Sequence, residues 1–328
     1  MKTKLSVCVV MMTICLSVSA YARTYKIGTA AWIGWSPVNV ADAKGFFKEE
    51  GLDVKVFTAS DGFELRSFFK DKRIDLAFET IGNMVDLYMQ GISVTIIAET
   101  DWSDGGDKII LRKDKYPASM KGKPVGVYDN TPSVTYFLNQ YFMSIGVKLS
   151  DVRPVEMDIK TLTNNFIAGR FDLIVAYAPE ALRAEREGRG KVAATTATYP
   201  GVMPEGMMAL NDILKDIPKT DLAKIFKAWI KAVSWCHDPA NINEYMKILN
   251  SHTFKGTPPY SEADLKQMLS EVRIHDVKML SEQNRTGGGL HVYLENLKAF
   301  LSSNNLLKKD FKPSEISDNT VITDILKE

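Results

Sequence analysis

The chain has little of what covalent chemistry needs. Only three of its 328 residues are cysteine, and two of them, Cys8 and Cys15, fall within the first 22. An exported chain left with Cys236 alone has no internal disulfide, so its stability must come from packing. Cys236 stands beside Trp235 in a helical pattern and reads as a small buried apolar residue. The four histidines, His237, His252, His275 and His291, all lie late in the chain, away from the loops considered below. Those loops therefore lack a ready general base. There is no G-x-S-x-G, no Walker-type loop, no H-E-x-x-H and no C-x-x-C, so the commonest hydrolase, nucleotide, zinc and dithiol signatures are missing. A protein that is not an enzyme, with no cofactor and no metal, is expected.

Long apolar runs are also scarce. One occupies residues 5–18, about 14 residues against the ~20 of a membrane span. Lys2 and Lys4 precede it and Ala20-Tyr21-Ala22 follows, a small-x-small site. Residues 1–22 thus read as a signal peptide cleaved near Ala22, and the mature protein is expected in the periplasm. A charge excess of either sign is missing too. The chain has 41 basic and 40 acidic residues, and the leader removes Lys2 and Lys4 but no acid. Near neutrality there is no electrostatic footprint for nucleic acid or an anionic membrane.

Short apolar strands alternate with helices of 10–14 residues. Strands are expected at 25–28, 54–57, 74–78 and 94–98, with helices at 37–50, 62–70 and 80–90 between them. Ser36 reads as an N-cap before Pro37, and glycines 51 and 91 as closures. After residues 108–112 the polar stretch 113–123 looks like a crossing. A second series follows, with strands at 125–128, 152–156, 171–176 and 191–194 and helices at 132–145, 159–168 and 179–187. The remainder is helical, with a stripe at Leu222, Ile225, Phe226, Trp229, Ile230 and Val233. Such alternation implies parallel βαβ units, and hence an α/β protein of two Rossmann-like lobes. Lobe 1 is expected from 23–112 plus 208–328 and lobe 2 from 113–207. A hinge of two crossings, near 111–115 and 205–211, would join them.

In open parallel sheets ligands bind beyond the carboxyl ends of strands. The loops there supply Trp32, Trp35, Ser36, Asp61, Thr80, Asp101 and Trp102 from lobe 1. Tyr128, Asn130, Thr131, Ser133, Tyr177 and Glu180 come from lobe 2. Indole and phenol rings offer stacking faces, and carboxylates suit a positive or N–H-rich ligand. The start of the helix after Asp129-Asn130-Thr131-Pro132-Ser133 reads as a seat for an anionic group. Residues 99–107 read as an acidic loop. None of the loops at these strand ends holds a lysine or arginine, which favours an amine or heteroaromatic ligand over a simple inorganic anion.

Several runs together resemble a known family: Tyr25-Lys26-Ile27-Gly28-Thr29-Ala30-Ala31-Trp32 with Ser36-Pro37, Lys44-Gly45-Phe46-Phe47, and Gly51-Leu52-Asp53-Val54. Arg73-Ile74-Asp75-Leu76-Ala77, Lys121-Gly122-Lys123-Pro124-Val125-Gly126-Val127, Phe166-x-x-Gly169-Arg170-Phe171-Asp172 and Tyr177-Ala178-Pro179-Glu180 extend the likeness. The chain is similar to solute-binding proteins of ABC importers, in the nitrate/sulfonate/taurine and thiamine-pyrimidine-precursor class. That resemblance implies a type II periplasmic binding fold closing over one small organic ligand, taurine-like or pyrimidine-like. It also implies a monomer that delivers its ligand to a permease in the inner membrane. Two alternatives are a receptor feeding the periplasmic domain of a sensor kinase or cyclase, and an enzyme of pyrimidine-precursor synthesis.

Overall fold

The computed structural model describes residues 23–327; the expected signal peptide lies outside them. Eleven strands form two sheets. The first contains β1 (Thr24–Ala30), β2 (Asp53–Ala59), β3 (Leu76–Thr80), β4 (Val94–Ser103), β10 (Pro204–Leu210) and β11 (Val272–Ile274), in the order β11-β4-β10-β3-β1-β2. The second contains β5 (Asp107–Arg112), β6 (Pro124–Val127), β7 (Arg153–Glu156), β8 (Leu173–Tyr177) and β9 (Gly190–Thr195), in the order β7-β6-β8-β5-β9. In each sheet three strands run parallel, and β10, β11 and β4 or β5 and β9 supply the antiparallel pairs.

The chain changes sheets at residues 104–106 and returns at 196–203, not at the 111–115 and 205–211 read from the sequence. The reason is β5. Ile109 and Leu111 pack into one apolar cluster and Ile110 into another, on opposite faces of the strand. A strand buried on both faces needs an interior position, and β5 takes it between β8 and β9. The polar stretch 113–123 is then a connection within the second sheet.

Helices α1 (Pro37–Ala43), α2 (Phe46–Glu49), α3 (Gly62–Lys70) and α4 (Ile81–Met89) belong to the first sheet. The single helix expected at 37–50 breaks because Gly45 is left-handed, at φ 75°. Helices α5 (Pro132–Ser144), α6 (Ile159–Ile167) and α7 (Glu180–Glu187) belong to the second. The tail contributes the helix Lys219–His237, which buries Leu222, Ile225, Phe226, Trp229 and Val233 against the first sheet. Trp229 stacks on Phe78 at 4.8 Å, and Phe78 on Trp35 at 6.5 Å. The tail is not wholly helical, since β11 pairs with the end of β4. Among the described residues no helix is long and apolar enough to cross a membrane.

Candidate functional site

The carboxyl ends of β1, β2 and β3 and the start of β10 converge on one side of a cavity of about 560 Å³, mouth included. They deliver Trp32, Trp35, Asp61, Glu79, Thr80 and Glu205. The second sheet faces them with Asp107, Tyr128, Asp129 and Tyr177. Local structure fixes several of these. Asp61 caps α3 by accepting from Glu64 N at 2.9 Å, so the first turns of α3 border the cavity and Arg66 enters its wall.

Tyr177 is the centre of the aromatic wall. Trp32 meets it edge-on at 5.8 Å and Tyr128 at 4.8 Å. Trp32 Nε1 donates to Glu205 Oε2 at 2.5 Å, and Tyr128 Oη donates to Asp107 Oδ1 at 2.6 Å. Arg66 Nη1 lies 3.1 Å from Glu79 Oε2 and 2.9 Å from Asp129 Oδ2. Asn83 Nδ2 donates to the same two carboxylates, at 3.1 and 2.9 Å. These contacts join the two sheets across the gap.

The electrostatics are lopsided. Five carboxyl groups line the space, and among the described residues Arg66 is the one cation there. Burial pushes Asp129 up to about 7, with Arg66 opposing the rise and Glu79 adding to it. Burial likewise raises Asp107 to about 6. Behind the wall, Asp101 is raised to about 6 by burial. Glu205 is raised further, by burial and then by the charge of Asp101. The pair is placed to share a proton. Two polar atoms of wall residues are buried without a partner: the donor Trp35 Nε1 and the acceptor Asp129 Oδ1. An unpaired buried polar group costs about 1–3 kcal/mol. A ligand carrying an acceptor for the one and a donor for the other would relieve both.

Of the residues expected from the sequence, Trp32, Trp35, Asp61, Thr80, Tyr128 and Tyr177 meet here, and the rest do not. Ser36 is fully buried and bonds Ile33 O and Tyr245 Oη at 2.6 and 2.5 Å, so it caps no helix and reaches no ligand. Asn130 is exposed. Glu180, half-buried at the start of α7, pairs with Arg183 at 2.7 Å. The expected anion seat is covered. Thr131 donates to Asn83, Ser133 Oγ donates to Thr80 Oγ1 at 2.7 Å, and α4 abuts the start of α5. A Cβ on Gly82 would come within 2.6 Å of Ser133 N.

Asp101 and Trp102 part company as successive strand residues do, and a bulge decides which of the two Glu99 joins. Residues 99–107 are the end of β4, a turn and the start of β5 rather than a loop. In the β4–β10 ladder Asp101 opposes Glu205 and Glu99 opposes Gly206, so Thr100 is an extra residue. Such a bulge shifts the alternation of side chains. Asp101 consequently sits beside Glu205 and Trp32, around Gly34. Glu99 and Trp102 share the opposite face, where Trp102 Nε1 donates to Glu99 Oε1 at 2.6 Å.

The residues that sequence reasoning missed are Arg66, Asn83, Asp107, Asp129 and Glu205. Arg66 corrects the expectation of a site without lysine or arginine. The Asp61 cap, one turn upstream, was the available signal for it. Asp107 and Glu205 became visible only with the true crossings, because each opens a strand that follows one.

Two α/β sheets that exchange the chain twice and enclose an aromatic cavity between them are a type II periplasmic binding fold. Residues 32–242 match the family model described as NMT1/THI5 like, and the chain belongs to that family. YtlA of Bacillus subtilis (strain 168), provisionally named a binding protein, is 25% identical over 232 residues, covering 66% of this chain and 67% of YtlA. The alkanesulfonate-binding protein SsuA of Xanthomonas axonopodis pv. citri, solved with MOPS, aligns with a TM-score of 0.72 at 12% identity, covering 90% of this chain and 98% of SsuA. The periplasmic nitrate-binding protein NrtA of Synechocystis PCC 6803 aligns at 0.68 and 17% identity, covering 94% and 89%.

Proposed function

We propose that this chain is a periplasmic solute-binding protein that captures a small amine-bearing or heteroaromatic molecule for an ABC importer. Family membership and the relatives named as binding proteins support the general role. The chemistry of the cavity supports the ligand class. One observation carries it: five carboxyl groups surround a single guanidinium that already pairs with Glu79 and Asp129. An inorganic anion at Arg66 would meet the repulsion of Glu79 and Asp129, which already pair with it. A cation or an N–H-rich ring can instead meet Asp61, Asp107 or Glu205 directly, between the faces of Trp32 and Tyr177. Ligand binding would favour the arrangement in which the two lobes touch, by its differential affinity for that state.

The test is a thermal-shift screen of the mature protein against primary amines, aminopyrimidines, taurine, alkanesulfonates and nitrate. A ligand at 100 times its dissociation constant adds about 2.7 kcal/mol of stability. Stabilisation by amines or aminopyrimidines is expected. Stabilisation by nitrate and plain sulfonates alone would overturn the assignment.

A further inference from the structure

A second concavity opens where Glu99 and Trp102 emerge, on the face of β4 turned away from the first. It measures about 990 Å³ with its mouth. Its walls come from both sheets and from the tail: the end of β4, helix α5, the returning segment 196–203 and the helix Gly289–Ser303. Four aromatic side chains line it, Trp102, Tyr136, Tyr199 and Tyr293. The polar groups beside them are the amides of Gln140, Gln283 and Asn296. Among the described residues no lysine, arginine or histidine lines this space. Its one carboxyl, Glu99, is raised to about 8 by burial and is therefore largely neutral at pH 7.

These groups select a chemistry. A charged ligand would find no opposite charge here and would lose hydration without return. Amides present a donor and an acceptor side by side, and they match a partner that does the same. Trp102 is held in place by its bond to Glu99 and by the edge-on ring of His275 at 5.3 Å. A half-buried, fixed indole is a platform for a flat or ring-shaped molecule. The ring of Tyr293 adds a second aromatic face to the same wall.

We propose that this groove is a second binding site, which takes an uncharged ring compound bearing hydrogen-bond donors and acceptors side by side, stacked on Trp102 and held by Gln140, Gln283 and Asn296. The site lies outside the cavity considered above and does not depend on the function proposed for it. Because its walls belong to both sheets, its occupant resists any motion of one sheet against the other. Binding in the two sites is coupled to that extent, with equal effect in each direction.

The experiment uses the mature protein labelled with 5-fluorotryptophan, whose five indoles are assigned by single Trp→Phe variants. The probes are uracil, nicotinamide and D-glucose, raised to millimolar concentration, with orotate, nicotinate and glucuronate as their charged counterparts. At least one neutral probe should shift the Trp102 fluorine resonance saturably while Trp235 stays in place. The charged counterparts should not. Gln140→Ala combined with Asn296→Ala should weaken that binding about tenfold or more, the loss expected for one or two hydrogen bonds. Both positions lie outside the core, so the fold survives the change. The proposal fails if no neutral probe moves Trp102, if a probe moves only Trp32 and Trp35, if charged counterparts bind equally well, or if the double variant binds unchanged.

Discussion

Arg66→Gln isolates the charge balance on which the ligand class rests. Arg66 is largely buried and bridges Glu79 and Asp129 from opposite sides of the cavity. Removing one partner from a buried ion pair costs about 3–5 kcal/mol, because the carboxylates left behind stay desolvated. At roughly 2–4 °C per kcal/mol for a chain of this size class, the melting temperature should drop by about 10 °C at pH 8.5. The drop must depend on pH. Asp129 titrates near 7 in the parent, and loss of the guanidinium raises it further. At pH 5.5 Asp129 is protonated in both proteins, so its share of the difference disappears. Melting curves of parent and variant across pH 5.5–8.5 provide the measurement, with the gap widening as pH rises. A gap of equal size at both ends would refute the argument, and so would no gap at pH 8.5. The same variant separates ligand classes. An amine that stabilises the parent should stabilise the variant at least as well, whereas a ligand held by the guanidinium would be lost.

Three further outcomes are expected. An amine ligand should bind more tightly as pH rises from 5.5 to 8, because Asp107 at about 6 and Asp129 at about 7 ionise in that window; calorimetry near pH 6.5 in two buffers should then record proton release on binding. Glu99, raised by burial from 4.5 to about 8, favours the fold while protonated, and its contribution fades as pH climbs between those values, at up to about 1.4 kcal/mol per pH unit. Glu99→Gln should flatten the decline in melting temperature of the unliganded protein over that range, and an unaltered slope would count against a buried acid. In Gly82→Ala the new methyl would meet Ser133 Oγ at 2.4 Å; small-angle scattering should show a larger radius of gyration at little change in helix content.

The βαβ order, most strand positions and the helix Gly62–Lys70 were legible in the sequence, because period-two and period-three-to-four patterns are local. The crossings were not. Lys113 to Lys123 looks like a linker by composition, yet only tertiary pairing decides that Ile109-Ile110-Leu111 belongs to the interior of the second sheet. For the site, strand-end aromatics were readable as Trp32, Trp35, Tyr128 and Tyr177. Of the charged half Asp61 was readable too, but the Arg66–Asp129 pair was not, since these two residues come together with Glu79 only when the two sheets face each other. Ser36 shows the converse failure. Its position before Pro37 spelled a cap, but Tyr245, more than 200 residues away, takes its hydroxyl.

The extra residue at Thr100 has a wider implication. Direction along a strand is a matter of parity, and one inserted unit inverts it for everything downstream. Here that inversion divides two acids of a single backbone, with Asp101 in an acidic compartment and Glu99 in a neutral one beside Trp102. A one-codon deletion at that point would restore regular alternation. It would keep both assignments, with Asp101 still opposite Glu205, Trp102 still opposite Pro204 and Glu99 still on the side of the indole.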